Sequence, residues 1–395
     1  MRGLIPAHIM TRIELATGLR MAEMVDVFCG PSTGSILNAA LNLPHPSEPQ
    51  FPKYKARHMV RFYEREGINI FPPDRFRELR GLIHDFNNRT MKIGTLNSLF
   101  RHGHYHPQYL SQSLKALFGD AKLSHSLQSL VIPTYNIDGD QISALREKNE
   151  TSNDPVHTVN NFMNEGGHAL WLKKMSFQKG IYCHQPEPDI SLYDAVMAST
   201  AAPTYFPCHH FDMKWSDDPR THHYTGIDGS IFDNPCTTYM GALHPHIRPG
   251  QKVIMIVLGT GYTNRSFKKD EWNRFGSLGV VDPVNDLPLI NIFFHAAESA
   301  LMDSFATEMG ENLYVFNKSL INDRKANWPS TQIDDGSPEN LKRLKEFADI
   351  ILEENQSKFD DVCHLLVRNR DERKKNKDGF FGAIRKSLDF ITEKI

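Results

Sequence analysis

The chain has few cysteines, little net charge and no long apolar run. Its five cysteines are scattered without C-x-x-C spacing, which argues against both a disulfide framework and a zinc site. A formal net charge of −2 gives no global attraction to nucleic acid or to an anionic membrane. No apolar run approaches the ~20 residues that span a bilayer, and the N-terminus lacks the pattern of a signal peptide. These absences predict a cytoplasmic or membrane-peripheral protein that binds no nucleic acid.

The residues that are present have the balance of a folded domain. Of the 395 residues, 40% are hydrophobic and 23% are charged, which suits one large domain or two smaller ones. Apolar runs such as 129–136 and 253–258 predict strands, and helical patterns such as 109–118 separate them. Continuous apolar strands are typical of a sheet that is buried on both faces, so the predicted class is α/β. We expect one domain over residues 1–320 and a charged helical extension over residues 321–395.

One short segment carries a signal for chemistry. The predicted strand 25–29 stops in the pentapeptide Gly30-Pro31-Ser32-Thr33-Gly34, of the form G-x-S-x-G, and a helical pattern follows it. Glycines on both sides of Ser32 permit strained backbone angles, and the start of the following helix favours developing negative charge. This context predicts a nucleophilic serine, whereas the pentapeptide alone also fits a plain glycine-rich turn. Cys29, next to the turn, is interpreted as a small buried apolar filler.

Histidines offer two further hypotheses. Four of them stand late in the chain, in the order that a Ser-Asp-His triad would need. They are His244, His246, His295 and His364. None lies in a recognisable motif, so surface or capping roles are favoured. His102, His104 and His106 alternate as ligands on one face of a strand would, but no carboxylate or cysteine completes a metal site, and a polar loop is favoured.

Four segments in this order resemble the patatin-like phospholipases, a family of lipid acyl hydrolases. They are residues 2–7 (RGLIPA), the pentapeptide 30–34, residues 199–207 (STAAPTYFP) and Asp228-Gly229. The resemblance covers about residues 2–320, and insertions around 44–105 and 150–170 account for the wide spacing of its motifs. It implies a three-layer α/β/α fold with a central, mostly parallel sheet.

The resemblance also implies a catalytic dyad, with Ser32 as the nucleophile and Asp228 as the proton acceptor. A serine hydroxyl is a poor nucleophile until a base removes its proton, and an aspartate becomes an adequate base only where burial raises its pKa. On its own, Asp228-Gly229-Ser230 fits an ordinary turn at the end of a strand. The implied substrate is a phospholipid or another acyl lipid, cleaved by a phospholipase A or lysophospholipase type of reaction. No metal and no organic cofactor is expected.

The sequence departs from the family pattern at three places. Ser230 replaces the usual Gly or Ala, and Pro31 stands where Thr is common. In the family, the N–H groups of a D-G-G-G-x-R-G loop form the oxyanion hole. In this sequence only the last three positions of that loop are present, as Met1-Arg2-Gly3. The candidate oxyanion donors are therefore Arg2, Gly3 and the N–H of Thr33. Either Met1 is a true start and the protein is weak or inactive, or it is an internal methionine of a longer protein, which the gapless match favours.

The C-terminal residues 377–395 form a separate hypothesis. Their apolar residues fall on one helical face and their basic residues lie elsewhere, which fits either an interfacial helix on a membrane or a helix that docks on the catalytic domain. For the whole chain, two alternatives to a lipid hydrolase remain open. One is a catalytically impaired protein that binds lipid or a partner because it lacks the oxyanion loop, and the other is a generic carboxylesterase.

Overall fold

A computed structural model describes most of the chain. The described residues are 1–71, 105–138, 166–176, 187–203, 205–247, 250–263, 266–280, 288–321 and 327–392. Four sequence-based expectations lie wholly or partly outside the described residues. They are the alternating histidines His102 and His104, the insertion 44–105 beyond residue 71, the insertion 150–170 before residue 166, and the amphipathic pattern of 377–395, where only the helical backbone to residue 392 is described.

Helices and short strands alternate along the chain. The α-helices are α1 (Leu4–Thr17), α2 (Met21–Met24), α3 (Thr33–Leu41), α4 (Ala56–Ile70), α5 (Gln108–Phe118), α6 (Leu192–Ser199), α7 (Pro235–Thr238), α8 (Lys269–Gly279), α9 (Pro288–Met309), α10 (Pro338–Glu354) and α11 (Gln356–Thr392). The strands are β1 (Val27–Cys29), β2 (Ser129–Asn136), β3 (His168–Lys174), β4 (Pro188–Asp189), β5 (His209–Trp215), β6 (Asp218–Asp228), β7 (Met255–Leu258) and β8 (Leu313–Phe316). Shorter turns of 3₁₀ helix include Gly229–Ile231 and His244–His246. The α/β class predicted from the sequence is confirmed.

The largest sheet is mixed and is organised around β2. Its order is β1-β2-β6-β5-β4, with β3 also paired to β2. The β1–β2 pair is parallel, and the other pairs of this sheet are antiparallel. A second, parallel pair joins β7 to β8 in a separate two-stranded sheet. The predicted parallel arrangement therefore applies to β1–β2 and to β7–β8.

Both β1 and β6 lie on the same edge of β2. Strand β3 pairs with β2 continuously over 130–136 and so occupies the other edge. On the shared edge, β1 pairs with 129–131 and ends opposite Val131, whereas β6 pairs with 134–136 and ends opposite Thr134. Because the two strands run toward each other, their C-terminal ends meet at Ile132 and Pro133. Pro133 lacks an N–H, and neither β1 nor β6 pairs with it, so this gap in the ladder suits a proline.

Two expectations about strands are corrected. His168–Lys174 is a strand, although it begins inside the predicted insertion 150–170. It pairs with β2, and its buried and half-buried side chains alternate at Leu170–Leu172, a pattern that the polar residues around it obscure in the sequence. The apolar run 253–258 is a strand only over Met255–Leu258, and its side chains are half-buried. The hydrophobicity of the run predicts a strand, but it does not predict which strand will pair with it. In the structure its partner is β8, so the run joins the small sheet rather than the large one.

The C-terminal helices pack on the same core as the first helix. Helix α1 contacts α4, α10 and α11, and buried residues such as Phe347 and Val362 belong to one hydrophobic cluster with α1. Near the end of this packed part, the Arg373 guanidinium pairs with the Asp26 carboxylate at 3.1 Å, just before β1. The domain division at residue 320 stays a prediction. Within the described ranges, no helix combines the length and the apolar character needed to cross a membrane.

Candidate active site

Ser32 occupies a strained turn between β1 and α3. At φ 53° and ψ −124°, it is the only non-glycine residue with a positive φ in the described part of the chain. Such a backbone costs of order 1–3 kcal/mol and persists only where the surroundings fix it. The strand, the turn and the helix have the geometry of a nucleophile elbow, with the serine at the start of α3, and the role of Ser32 as a nucleophile stays a prediction.

Hydrogen bonds from three segments hold this turn in place. The Ser32 N–H donates to the backbone oxygen and to Oγ of Ser199, both at 3.1 Å. The Ser199 hydroxyl, which is fully buried, donates in turn to the Pro133 carbonyl at 2.6 Å. On the other side, the Ser35 hydroxyl donates to the Ser32 carbonyl at 2.6 Å. The strain at Ser32 is therefore supported from β2 and from the end of α6.

Asp228 faces Ser32 from the end of β6. Its residue is only 3% exposed, its N–H donates to the Ala201 carbonyl at 3.0 Å, and its Oδ1 accepts from the Ser230 N–H at 2.9 Å. Burial raises the pKa of the Asp228 carboxyl, and hydrogen bonds from the Ser32 hydroxyl and from Ser230 oppose that rise. The structure thus brings Ser32 and Asp228 together where β1 and β6 meet on β2.

At two positions of the site, neighbouring atoms lie so close to the backbone that only glycine fits, although the backbone angles there would allow other residues. A Cβ on Gly229 would lie 2.3 Å from the Pro133 carbonyl oxygen, so the turn after Asp228 can pack on β2 only without a side chain. A Cβ on Gly3 would lie 1.8 Å from Thr33 Oγ1. The Gly3 backbone therefore touches the residue that follows the nucleophile.

The three candidate oxyanion donors differ in what they contact. The Thr33 N–H stands at the first position of α3, where a helix provides no internal acceptor. Gly3 lies against Thr33, as its packing requires. The Arg2 guanidinium donates to the Thr331 carbonyl, and burial lowers its pKa to about 10. The assignment of an oxyanion role to any of them stays a prediction.

Histidines do not enter the contacts of this site as the structure describes them. The residues that act on the Asp228 carboxyl are Ser32 and Ser230, and Ser230 donates its N–H to Oδ1. His244 and His246 lie on a 3₁₀ turn after α7, and His364 lies on α11. Among the described residues, no three side chains of His, Cys, Asp or Glu are grouped so that they could hold a metal ion.

Two residues of the site escaped the sequence analysis. Ser199 lies in the segment 199–207, but the hydrogen bond that its Oγ accepts from the Ser32 N–H depends on tertiary packing. Asp233, five positions after Asp228, is a second, half-buried carboxyl whose side chain accepts a hydrogen bond from Thr238. The only sequence signal for Asp233 was a second acidic residue five positions after Asp228, close to the Asp228-Gly229 turn.

A strained serine between a strand and a helix, facing a buried aspartate, is an arrangement typical of α/β proteins that act as serine hydrolases. The sequence model of the family described as patatin-like phospholipase matches residues 1–240. This stretch contains the pentapeptide 30–34 and Asp228-Gly229, and the chain belongs to the patatin-like phospholipase family. The three-layer α/β/α architecture expected from the resemblance follows from this membership.

Plant proteins are similar to almost the whole chain. Patatin-like protein 2 of Oryza sativa subsp. indica is 24% identical over 382 residues, which cover 91% of this chain and 83% of that protein. Patatin-like protein 2 of Arabidopsis thaliana is 26% identical over 373 residues, covering 89% and 80%. Patatin-T5 of Solanum tuberosum is 22% identical over 403 residues, covering 95% and 88%. The similarity extends beyond the matched family domain into the C-terminal helices.

Proposed function

We propose that this chain is a lipid acyl hydrolase that cleaves fatty-acyl ester bonds of a phospholipid or another acyl lipid through Ser32 and Asp228. The observation that carries the proposal is the placement of a strained serine against a buried carboxyl, on which the serine side chain acts. Membership of the patatin-like phospholipase family supports a lipid ester as the substrate.

In the proposed reaction, the Ser32 hydroxyl attacks the acyl carbonyl while Asp228 accepts its proton. The proton passes to the departing alcohol as the ester bond breaks, and the acyl group stays on Ser32. Asp228 then takes a proton from water, the water oxygen attacks the acyl-enzyme, and the fatty acid leaves with Ser32 restored as a hydroxyl. Burial suits Asp228 to this task because a raised pKa makes the carboxylate a better base.

Negative charge on the substrate oxygen requires donors near Ser32. In this proposal the Thr33 N–H supplies one, because it points outward at the N-terminus of α3, where the helix dipole adds to it. The backbone of Gly3, which lies against Thr33, and the Arg2 side chain are the further candidates. Each such donor is typically worth ~10²–10³ in rate.

The proposal is tested by fatty-acid release from phosphatidylcholine vesicles. Ser32→Ala removes the nucleophile, and we expect its release to fall to the uncatalysed background. Ser47→Ala is the matched control because Ser47 is exposed on the loop after α3, and its release should equal that of the wild type.

The outcomes separate the alternatives. Equal release by Ser32→Ala and the wild type would contradict the serine mechanism. A wild type that binds the vesicles without releasing fatty acid would indicate a lipid-binding protein instead. Equal rates on short soluble esters and on aggregated lipid would indicate a carboxylesterase.

The proposal includes peripheral membrane contact through residues 377–395. The basic and apolar pattern of this segment supports it. Among the side chains that the structure describes, Phe359 and Leu366 of α11 pack on the core. Deletion of 377–395 should therefore leave the fold intact, as judged by thermal unfolding. We expect the deleted protein to sediment less with anionic vesicles than the full chain does, and unchanged sedimentation would favour docking on the domain.

A further inference from the structure

A second carboxyl, which is half-buried, lies beside the Ser32–Asp228 pair. The Asp233 N–H donates to the Gly229 carbonyl at 2.9 Å, which closes the turn that begins at Asp228. Its carboxylate Oδ1 accepts a hydrogen bond of 2.5 Å from the Thr238 hydroxyl. Among the described residues, no basic side chain forms an ion pair with it. Burial, with a smaller contribution from the negative charge of Asp228, raises the pKa of Asp233 to about 7.

Thr238 links this carboxyl to the strand that carries the nucleophile. The thiol of Cys29, the last residue of β1, donates to Thr238 Oγ1 at 3.4 Å. Burial raises the pKa of Cys29 well above its ordinary value, so the thiol keeps the proton that it donates. Thr238 itself is 5% exposed, and its hydroxyl thus accepts from β1 and donates to Asp233.

A continuous set of contacts therefore joins the two halves of the site. It runs from the turn after Asp228 through Asp233 and Thr238 to Cys29, three residues before Ser32. Strand β1 pairs with only three residues of β2, so its end has little ladder support of its own. A displacement of about 1 Å at a reacting group can cost 10²-fold in rate.

Stability alone gives no reason for a carboxyl at this position. A carboxyl that is partly withdrawn from water and has no basic partner is more costly to ionise than an exposed one, and an apolar or amide side chain would avoid that cost. The titratable groups that face Asp233 are Asp228 on β6 and Cys29 on β1, and Trp171, Thr237 and Thr238 are the neutral side chains that act on it. When it is ionised, Asp233 is therefore close enough to change the pKa of Asp228.

We propose that Asp233 is a positioning residue of the dyad, which acts through Thr238 and Cys29 to hold the end of β1, and with it Ser32, against Asp228. The inference rests on the proposed function, since it takes Ser32 as the nucleophile and Asp228 as the base. When Asp233 is ionised, its charge also makes Asp228 a stronger base.

The test measures how fast Ser32 reacts with a fluorophosphonate, in which the serine oxygen bonds to phosphorus and fluoride leaves. This readout needs no lipid substrate, and kcat and KM on a soluble ester accompany it. Thr238→Val removes the hydroxyl at nearly constant volume, Thr238→Ser restores it, and Thr221→Val is a matched control on the exposed part of β6. We expect Thr238→Val to lower the labelling rate and kcat about tenfold with KM unchanged, and the other two variants to stay within about threefold of the wild type.

Asp233→Asn provides a second measurement should Thr238→Val fail to fold. The amide keeps an acceptor for Thr238 but carries no charge, so its labelling rate should equal that of the wild type at pH 6. The ratio of wild type to variant should rise several-fold by pH 8, as Asp233 ionises in the wild type.

Either of two results would overturn the inference and leave the dyad standing. In the first, the wild type is labelled and Thr238→Val is labelled equally fast. In the second, the ratio of the wild-type labelling rate to that of Asp233→Asn stays constant from pH 6 to 8. A wild type that is itself inert would overturn the dyad and this inference with it.

Discussion

Asp228→Asn should lower kcat by about 10²–10⁴ while the protein stays folded, because general-base catalysis by a positioned side chain typically contributes this much. The amide retains Oδ1, so the hydrogen bond from the Ser230 N–H and the turn after β6 are preserved. It cannot accept the proton of Ser32. Thermal unfolding of the variant should occur at the wild-type temperature or above, since the cost of burying a carboxylate is removed.

The pH dependence of the wild type follows from the same carboxyl. Asp228 works as a base only when it is deprotonated, and burial raises its pKa above the ordinary value of 3.8. We therefore expect kcat/KM on a soluble ester to fall as the pH decreases through the raised pKa of Asp228. The loss should be reversible when the pH is restored.

Asp212→Asn is the matched control for this substitution. Asp212 lies on β5, its side chain is 63% exposed, and it pairs with His223 at 2.6 Å. Its loss should leave kcat unchanged, because exposed pairs contribute little even to stability. Activity of Asp228→Asn within about threefold of the wild type would show that another group removes the proton.

Gly229→Ala should destabilise the protein by about 1–3 kcal/mol or more and remove most of its activity. The added Cβ would lie 2.3 Å from the oxygen and 2.5 Å from the carbon of the Pro133 carbonyl. These are backbone atoms of β2 and cannot rotate away, so either the strand or the turn after Asp228 must move. Urea unfolding measures the first effect, and ester hydrolysis measures the second.

Gly34→Ala is a control within the same site. A Cβ there would meet no atom within 4 Å, and Gly34 lies inside α3 without a positive φ. Alanine is favoured over glycine in a helix, so the free energy of unfolding should stay constant or rise by roughly 0.5–1 kcal/mol. If Gly229→Ala unfolded at the same urea concentration as the wild type, the close packing of the turn on β2 would be refuted.

Local signals in the sequence identified several elements correctly. The apolar run 129–136 is strand β2 over the same residues, and the predicted helix at 109–118 is α5, which ends at Gly119 as expected. The turn around Ser32 has the strained geometry that its glycines and its position between strand and helix predict. These features depend on neighbours in sequence, so a single chain contains their determinants.

Other features depend on partners far away in sequence. The antiparallel pairing of β3 and β6 with β2 could not be predicted, because pairing is decided by contacts across the sheet. The bond from Ser32 to Ser199 and the position of Asp233 depend on the same packing. The sequence therefore identified Ser32 and Asp228, which the structure brings together, more readily than the residues that support them.

The shared edge of β2 has a consequence for how the protein folds. Cys29, three residues before Ser32, pairs with Val131, and Asp228 pairs with Thr134. Each of the strands that position Ser32 and Asp228 is therefore separated from its partner residues on β2 by roughly one hundred positions of chain. Such distant pairings form slowly, because a long loop must close before they gain any contact energy. We expect the strained serine to form only when both strands have docked. A nascent or partly folded chain would then carry Ser32 in an unreactive form, and hydrolytic activity would emerge only with the completed sheet.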